Sequence, residues 1–126
     1  MEDLFRFRQP ATTARAPLDT KVSFGTIAQN GNILTVPVKV SNGLTGPETF
    51  AGNVSVSGSE ISLISKSVEI TTKKLRAGRE TVQFDLNDGF APEGEDFTVT
   101  VQAFIGDPIV ARAEKQYQIL AYGGGG

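Results

Sequence analysis

The sequence predicts an all-β fold of two antiparallel sheets, and three observations carry that prediction. Apolar residues recur at every second position in several segments, most clearly Val82, Phe84 and Leu86, then Phe97, Val99, Val101, Ala103 and Ile105. A two-residue period gives a strand one wet face and one dry face. Clusters of Gly, Pro, Asn and Asp separate these segments at roughly ten-residue spacing, the rhythm of a sandwich of short strands. No segment holds a convincing 3.6-residue apolar period, so helices are not expected to build the core.

In chain order, residues 1–19 read as an extended N-terminal arm. Leu4, Phe5 and Phe7 are large and apolar, Arg6 and Arg8 are cationic, and the run from Pro10 to Pro17 has the composition of a stiff spacer. Such a segment cannot form a core of its own. Chain ends are ordinarily loose, but disordered tails are usually poor in aromatics, and Phe5 and Phe7 are two of the chain's eight Phe. Aromatic residues together with Arg are the mixture enriched at interfaces. Fully extended, the arm would reach about 60 Å, farther than one domain is wide. Leu4, Phe5, Arg6, Phe7 and Arg8 are therefore the expected partner-binding residues.

The domain itself is expected over residues 20–120. Lys21 to Ile27 reads as a first edge strand with a bulge at Gly25. The turn Gln29-Asn30-Gly31-Asn32 leads into a strand from Ile33 to Val40, where Leu34, Val36, Val38 and Val40 alternate with Thr35, Pro37 and Lys39. Pro37 has no N–H to donate, so a free side or a bulge is expected beside it. Phe50 to Ser57 reads as the next strand. Ile61 and Leu63, then Val68 and Ile70, read as two short strands with Ser65-Lys66-Ser67 turning between them. Thr81 to Leu86 and Phe97 to Ile105 follow, and Gly106-Asp107-Pro108 has the chemistry of a hairpin turn into a last strand from Ile109 to Leu120. Residues 121–126 complete the chain as a Gly-rich tail read as flexible.

This gives about seven to nine strands, with a small Greek-key barrel as the alternative closure. The stretch Leu75-Arg76-Ala77-Gly78-Arg79-Glu80-Thr81-Val82-Gln83-Phe84-Asp85-Leu86, followed by Glu95-Asp96-Phe97-Thr98-Val99-Thr100-Val101, resembles the later strands of bacterial and archaeal immunoglobulin-like modules of the cell-adhesion-related kind. Val36-Pro37-Val38-Lys39-Val40-Ser41-Asn42 is similar to their early strand ending in Asn. The resemblance spans about residues 20 to 120 and implies an immunoglobulin-like sandwich. It brings no catalytic residues with it.

Composition narrows the chemistry. Cysteine and histidine are both absent, which removes thiolate and imidazole as metal ligands and imidazole as a general base. A Ser or Thr nucleophile thus lacks its usual partner, and no phosphate-cradling glycine loop is present, since Gly123 to Gly126 precede no Lys and no helix. The chain is expected not to be an enzyme and to need no cofactor. A formal charge of −2 is too small for bulk electrostatic binding of nucleic acid. No run approaches the roughly 20 apolar residues that span a bilayer. Acidic residues near Met1, where a signal peptide is basic, predict a protein made in the cytoplasm without a leader.

Two charged groups stand out. Asp85, Asn87, Asp88, Glu93 and Asp96, with Glu95, make one loop acidic, a set of hard oxygen ligands of the kind that holds Ca²⁺. Gly89 falls one place short of an EF-hand glycine, and Asn87-Asp88-Gly89 reads more simply as turn chemistry with solvated acids. Lys73, Lys74, Arg76 and Arg79 form a basic corner, and in an array it would face the acidic loop of a neighbour. The expected function is a structural or assembly role: an immunoglobulin-like subunit packing on a larger particle, such as a phage virion, as homo-oligomer or array. The alternative is an adhesive module that recognises a surface protein or glycan through its loops.

Overall fold

The computed structural model of the chain describes residues 20–41, 47–73 and 76–123. The arm residues Leu4, Phe5, Arg6, Phe7 and Arg8 lie outside the described residues, as do Lys74 and residues 124–126. The described strands are β1 Lys21–Phe24, β2 Ala28–Asn30, β3 Ile33–Ser41, β4 Thr49–Ser57, β5 Ile64–Thr71, β6 Gly78–Asp85, β7 Phe97–Ile105 and β8 Ala111–Ile119, with a 3-10 turn over Leu86–Gly89. In one antiparallel sheet β3 lies between β6 on one side and β1 with β2 on the other; the second sheet has the order β5-β4-β7-β8. With β3 beside β6 and β4 beside β7, the connectivity is that of an immunoglobulin-type sandwich. The expected all-β sandwich is the observed fold.

Alternation explains why the layers close. Leu34, Val36, Val38 and Val40 of β3 face the same way as Val82 and Phe84 of β6, and all are buried. From the other sheet, Val54 and Val56 of β4 and the five odd-numbered residues of β7 complete the core. The strand β7 has the bounds that alternation predicts. Apolar area removed from water along both inner faces is what holds the two sheets together.

The edge opposite β6 carries the expected irregularity. Phe24 pairs with Val38 and Ala28 with Thr35, so Gly25, Thr26 and Ile27 stand against only Val36 and Pro37. That is a one-residue bulge. The Gly25 N–H donates to the Pro37 carbonyl at 2.9 Å, which places the donorless Pro37 nitrogen on the same side, where the ladder is interrupted. The extra residue also flips the alternation: Val22 and Phe24 pack against the core ahead of the bulge, and buried Ile27 does so after it.

Three expectations are corrected. Ser65-Lys66-Ser67 is not a turn between two short strands; β5 runs through it without interruption, and Leu63 lies outside the strand at 67 % exposure. Ile109 is not the first inward residue of the last strand. It belongs to the turn and is 59 % exposed, and β8 begins at Ala111 opposite Ile105. The packed domain also continues past Leu120, because Tyr122 is buried at 9 % exposure and joins the core cluster.

Two side seams complete the frame. At one, β5 of the second sheet passes beside β6 of the first, and Lys66 Nζ donates to the Gln83 carbonyl at 2.7 Å while lying 5.8 Å from the centroid of the Phe84 ring. At the other, Gln29 of β2 clasps the chain just beyond β8: its Oε1 accepts from the Leu120 N–H at 2.7 Å and its Nε2 donates to the Leu120 carbonyl at 2.8 Å.

Candidate functional site

Because neighbouring strands alternate in direction, the loops fall into two groups at opposite ends of the sandwich. One end gathers the loops before β3, between β4 and β5 and between β6 and β7, together with the segment after β8. No Lys or Arg occurs among the described residues of these loops, whereas Glu60, Asp88, Glu93, Glu95 and Asp96 do. The other end holds the β3–β4, β5–β6 and β7–β8 connections and the start of β1. Lys21, Lys39, Lys73, Arg76 and Arg79 gather there, beside the acids Glu48, Glu69, Glu80 and Asp107.

The acidic end is built by turn chemistry. Asp85 caps the 3-10 turn, its Oδ1 accepting from the Asn87 N–H at 3.0 Å and from Asn32 Nδ2 at 2.7 Å. Asp96 Oδ1 accepts from the Ala121 N–H at 2.7 Å, and the Gly94 N–H donates to the Tyr122 carbonyl at 2.8 Å. These bonds bind the segment after β8 under the loop. The Tyr122 hydroxyl lies 3.4 Å from Asn87 Oδ1. Burial first, then the Glu93 and Asp85 carboxylates, raise its pKa above the ordinary value of 10.0.

The same turn sets one aromatic in solvent. Gly89 is buried, and a Cβ there would come within 2.6 Å of both Ile61 Cγ1 and the Ser62 carbonyl oxygen, so glycine is required for packing. The left-handed position that commonly follows a helical turn and favours glycine falls on the next residue. Phe90 takes it at φ 59 and is 82 % exposed. A side chain at such a φ is uncommon and strained for a bulky residue. The Ser62 N–H donates to the Gly89 carbonyl at 2.7 Å, tying the loop that holds Leu63 to the turn that precedes Phe90. Leu120, 58 % exposed, emerges at the same end.

Among the five residues considered for Ca²⁺, Asp85 and Asp96 are engaged in the capping and strapping bonds above. Asp88 and Glu93 are exposed, as is Asn87. No group of three or more acidic side chains among the described residues is arranged to hold a metal ion.

At the basic end, Lys39 and Arg79 stand directly opposite one another on the outer face of β3 and β6. Like charges in such a pair repel. Lys73 and Arg76 exchange backbone hydrogen bonds at 3.1 and 2.9 Å. Together with Thr71 and the two acids Glu69 and Glu80, these four cations line a groove of about 650 Å³. Beside it is a second hollow of about 360 Å³, lined by Phe50, Ala51, Pro108 and Val110. Thr49 and Thr71 join the two hollows, their hydroxyls 2.9 Å apart.

The sequence singled out the acidic loop and the basic corner, and the structure places them at opposite ends. It missed Phe90, Leu63 and the apolar hollow. The only available signal for Phe90 was a large aromatic directly after Asn-Asp-Gly. No helix among the described residues is long and apolar enough to cross a membrane. No protein-family model matches the sequence, and no curated protein matches it.

Proposed function

We propose that this chain is a non-enzymatic assembly subunit, a small sandwich that packs on or joins subunits of a larger particle such as a phage virion capsid. The observation that supports this reading is the solvent exposure of three large apolar residues, Phe90, Leu63 and Leu120, at one end of the domain. Exposed apolar groups rimmed by polar residues mark protein contact sites, and a strained, outward Phe is costly to keep without such a role. The arm residues Leu4, Phe5, Arg6, Phe7 and Arg8 supply a second anchor of interface composition. The partners are protein subunits, in a homo-oligomer or array.

Deleting residues 1–19 tests the reading. The full chain is expected to associate with concentration in sedimentation velocity, and the truncated chain to sediment as a folded monomer with an unchanged β-sheet circular dichroism spectrum. Undiminished association of the truncated chain would remove the arm from the mechanism.

A further inference from the structure

The geometry points to a head-to-tail contact between copies of this chain, in which the acidic, aromatic-tipped end of one domain seats on the basic, hollowed end of the next. This rests on the assembly reading and names the partner and the faces. Two independent features match across the proposed contact. The first is charge: one end presents Asp88, Glu93 and Glu95 with no described cation in its loops, and the other presents Lys39, Lys73, Arg76 and Arg79 around a groove where they outnumber the acids Glu69 and Glu80. Complementary potentials of this kind steer encounter and set register.

The second feature is shape. Phe90 and Leu63 are exposed at the acidic end, and the opposite end carries a largely apolar hollow beside the basic groove, lined by Phe50, Ala51, Pro108 and Val110 with Asp107 also in its wall. A knob next to acids thus meets a hole next to bases. Because the two faces differ and lie at opposite ends, the contact is heterologous, and repeating it propagates a row. Such a row explains why a residue at φ 59 holds a phenyl ring in water: the ring is covered once a neighbour arrives.

Sedimentation velocity of the full chain, arm included, tests the contact with two charge-reversed proteins. One carries Asp88→Lys, Glu93→Lys and Glu95→Lys, the other Lys73→Glu, Arg76→Glu and Arg79→Glu. Each alone is expected to lose association at least about tenfold, and an equimolar mixture to recover it, with the recovery weakening in high salt. A third variant, Phe90→Gly, separates contact from folding. Glycine relieves the left-handed backbone, so its thermal midpoint should hold or rise while association falls about tenfold.

Reversals that leave association unchanged, or a mixture that recovers nothing, would overturn the head-to-tail contact. If truncation of residues 1–19 abolishes association while the reversals are silent, the arm reading stands and the end contact falls. A full chain that stays monomeric at every concentration and salt removes both.

Discussion

The two side seams of the sandwich solve one problem by different means. Where β5 meets β6, a single exposed ammonium reaches across to one carbonyl and rests near an aromatic face. Where β2 meets the end of β8, a neutral amide satisfies both backbone groups of Leu120 and also donates to the Gly31 carbonyl at 2.9 Å. The first seam is a charge held near solvent, open to screening by salt. The second is a set of oriented neutral bonds that salt barely touches. A Lys pointing along the inward side of an edge strand also discourages a foreign strand from pairing there.

The contrast can be broken most severely through the ring beneath the lysine. Phe84→Ala empties a fully buried site and is expected to cost about 3–5 kcal/mol in urea or thermal unfolding. Next, Gln29→Ala removes the clasp at the opposite seam and should cost about 1–2 kcal/mol, with no dependence on salt. Gln29→Glu should cost at least as much, because a carboxylate cannot donate to the Leu120 and Gly31 carbonyls.

Lys66→Met keeps the aliphatic stem over Phe84 and loses the charge together with the hydrogen bond to the Gln83 carbonyl, for about 0.5–1.5 kcal/mol. Its cost should shrink in high salt, and an equal salt response of the Lys66 and Gln29 variants would erase the distinction between the seams. Tyr122→Phe should change stability at neutral pH by less than about 0.5 kcal/mol, given one 3.4 Å contact. It carries a pH signature instead. The raised phenol contributes stability that is full below about 10 and is lost as pH climbs through the folded-state value, because the unfolded chain releases that proton first. Ultraviolet titration of the wild type against Tyr122→Phe, which leaves Tyr117, reads that shift. Smallest of all, adding Ca²⁺ or chelator should leave the melting midpoint unmoved.

The core was legible wherever a strand is half buried. Phe97 to Ile105 is apolar at every odd position, with Phe104 the one apolar residue on the other face, and its bounds follow from the sequence alone. The stretch from Ser57 to Thr71 was not, because its inward face includes Lys66, a polar residue whose position is justified by a carbonyl and an aromatic ring on the other sheet. Read locally, Ser65-Lys66-Ser67 looks like a turn. Ile109 was misplaced for the converse reason: an apolar residue on the right parity is carried out of the strand by the hairpin before it. The ends of the sandwich were visible as charge but not as relief. Nothing local in Asn87-Asp88-Gly89-Phe90 announces that glycine is needed for packing and that the left-handed turn therefore passes to Phe90.

The bulge at Gly25 has a further consequence for growth by strand addition. A foreign strand laid along this edge would find its register correct beside Lys21–Phe24 and one residue out beside Ala28–Asn30. Only a strand with its own matching interruption could pair along the full length. The edge is thus a lock that refuses indefinite copying of itself.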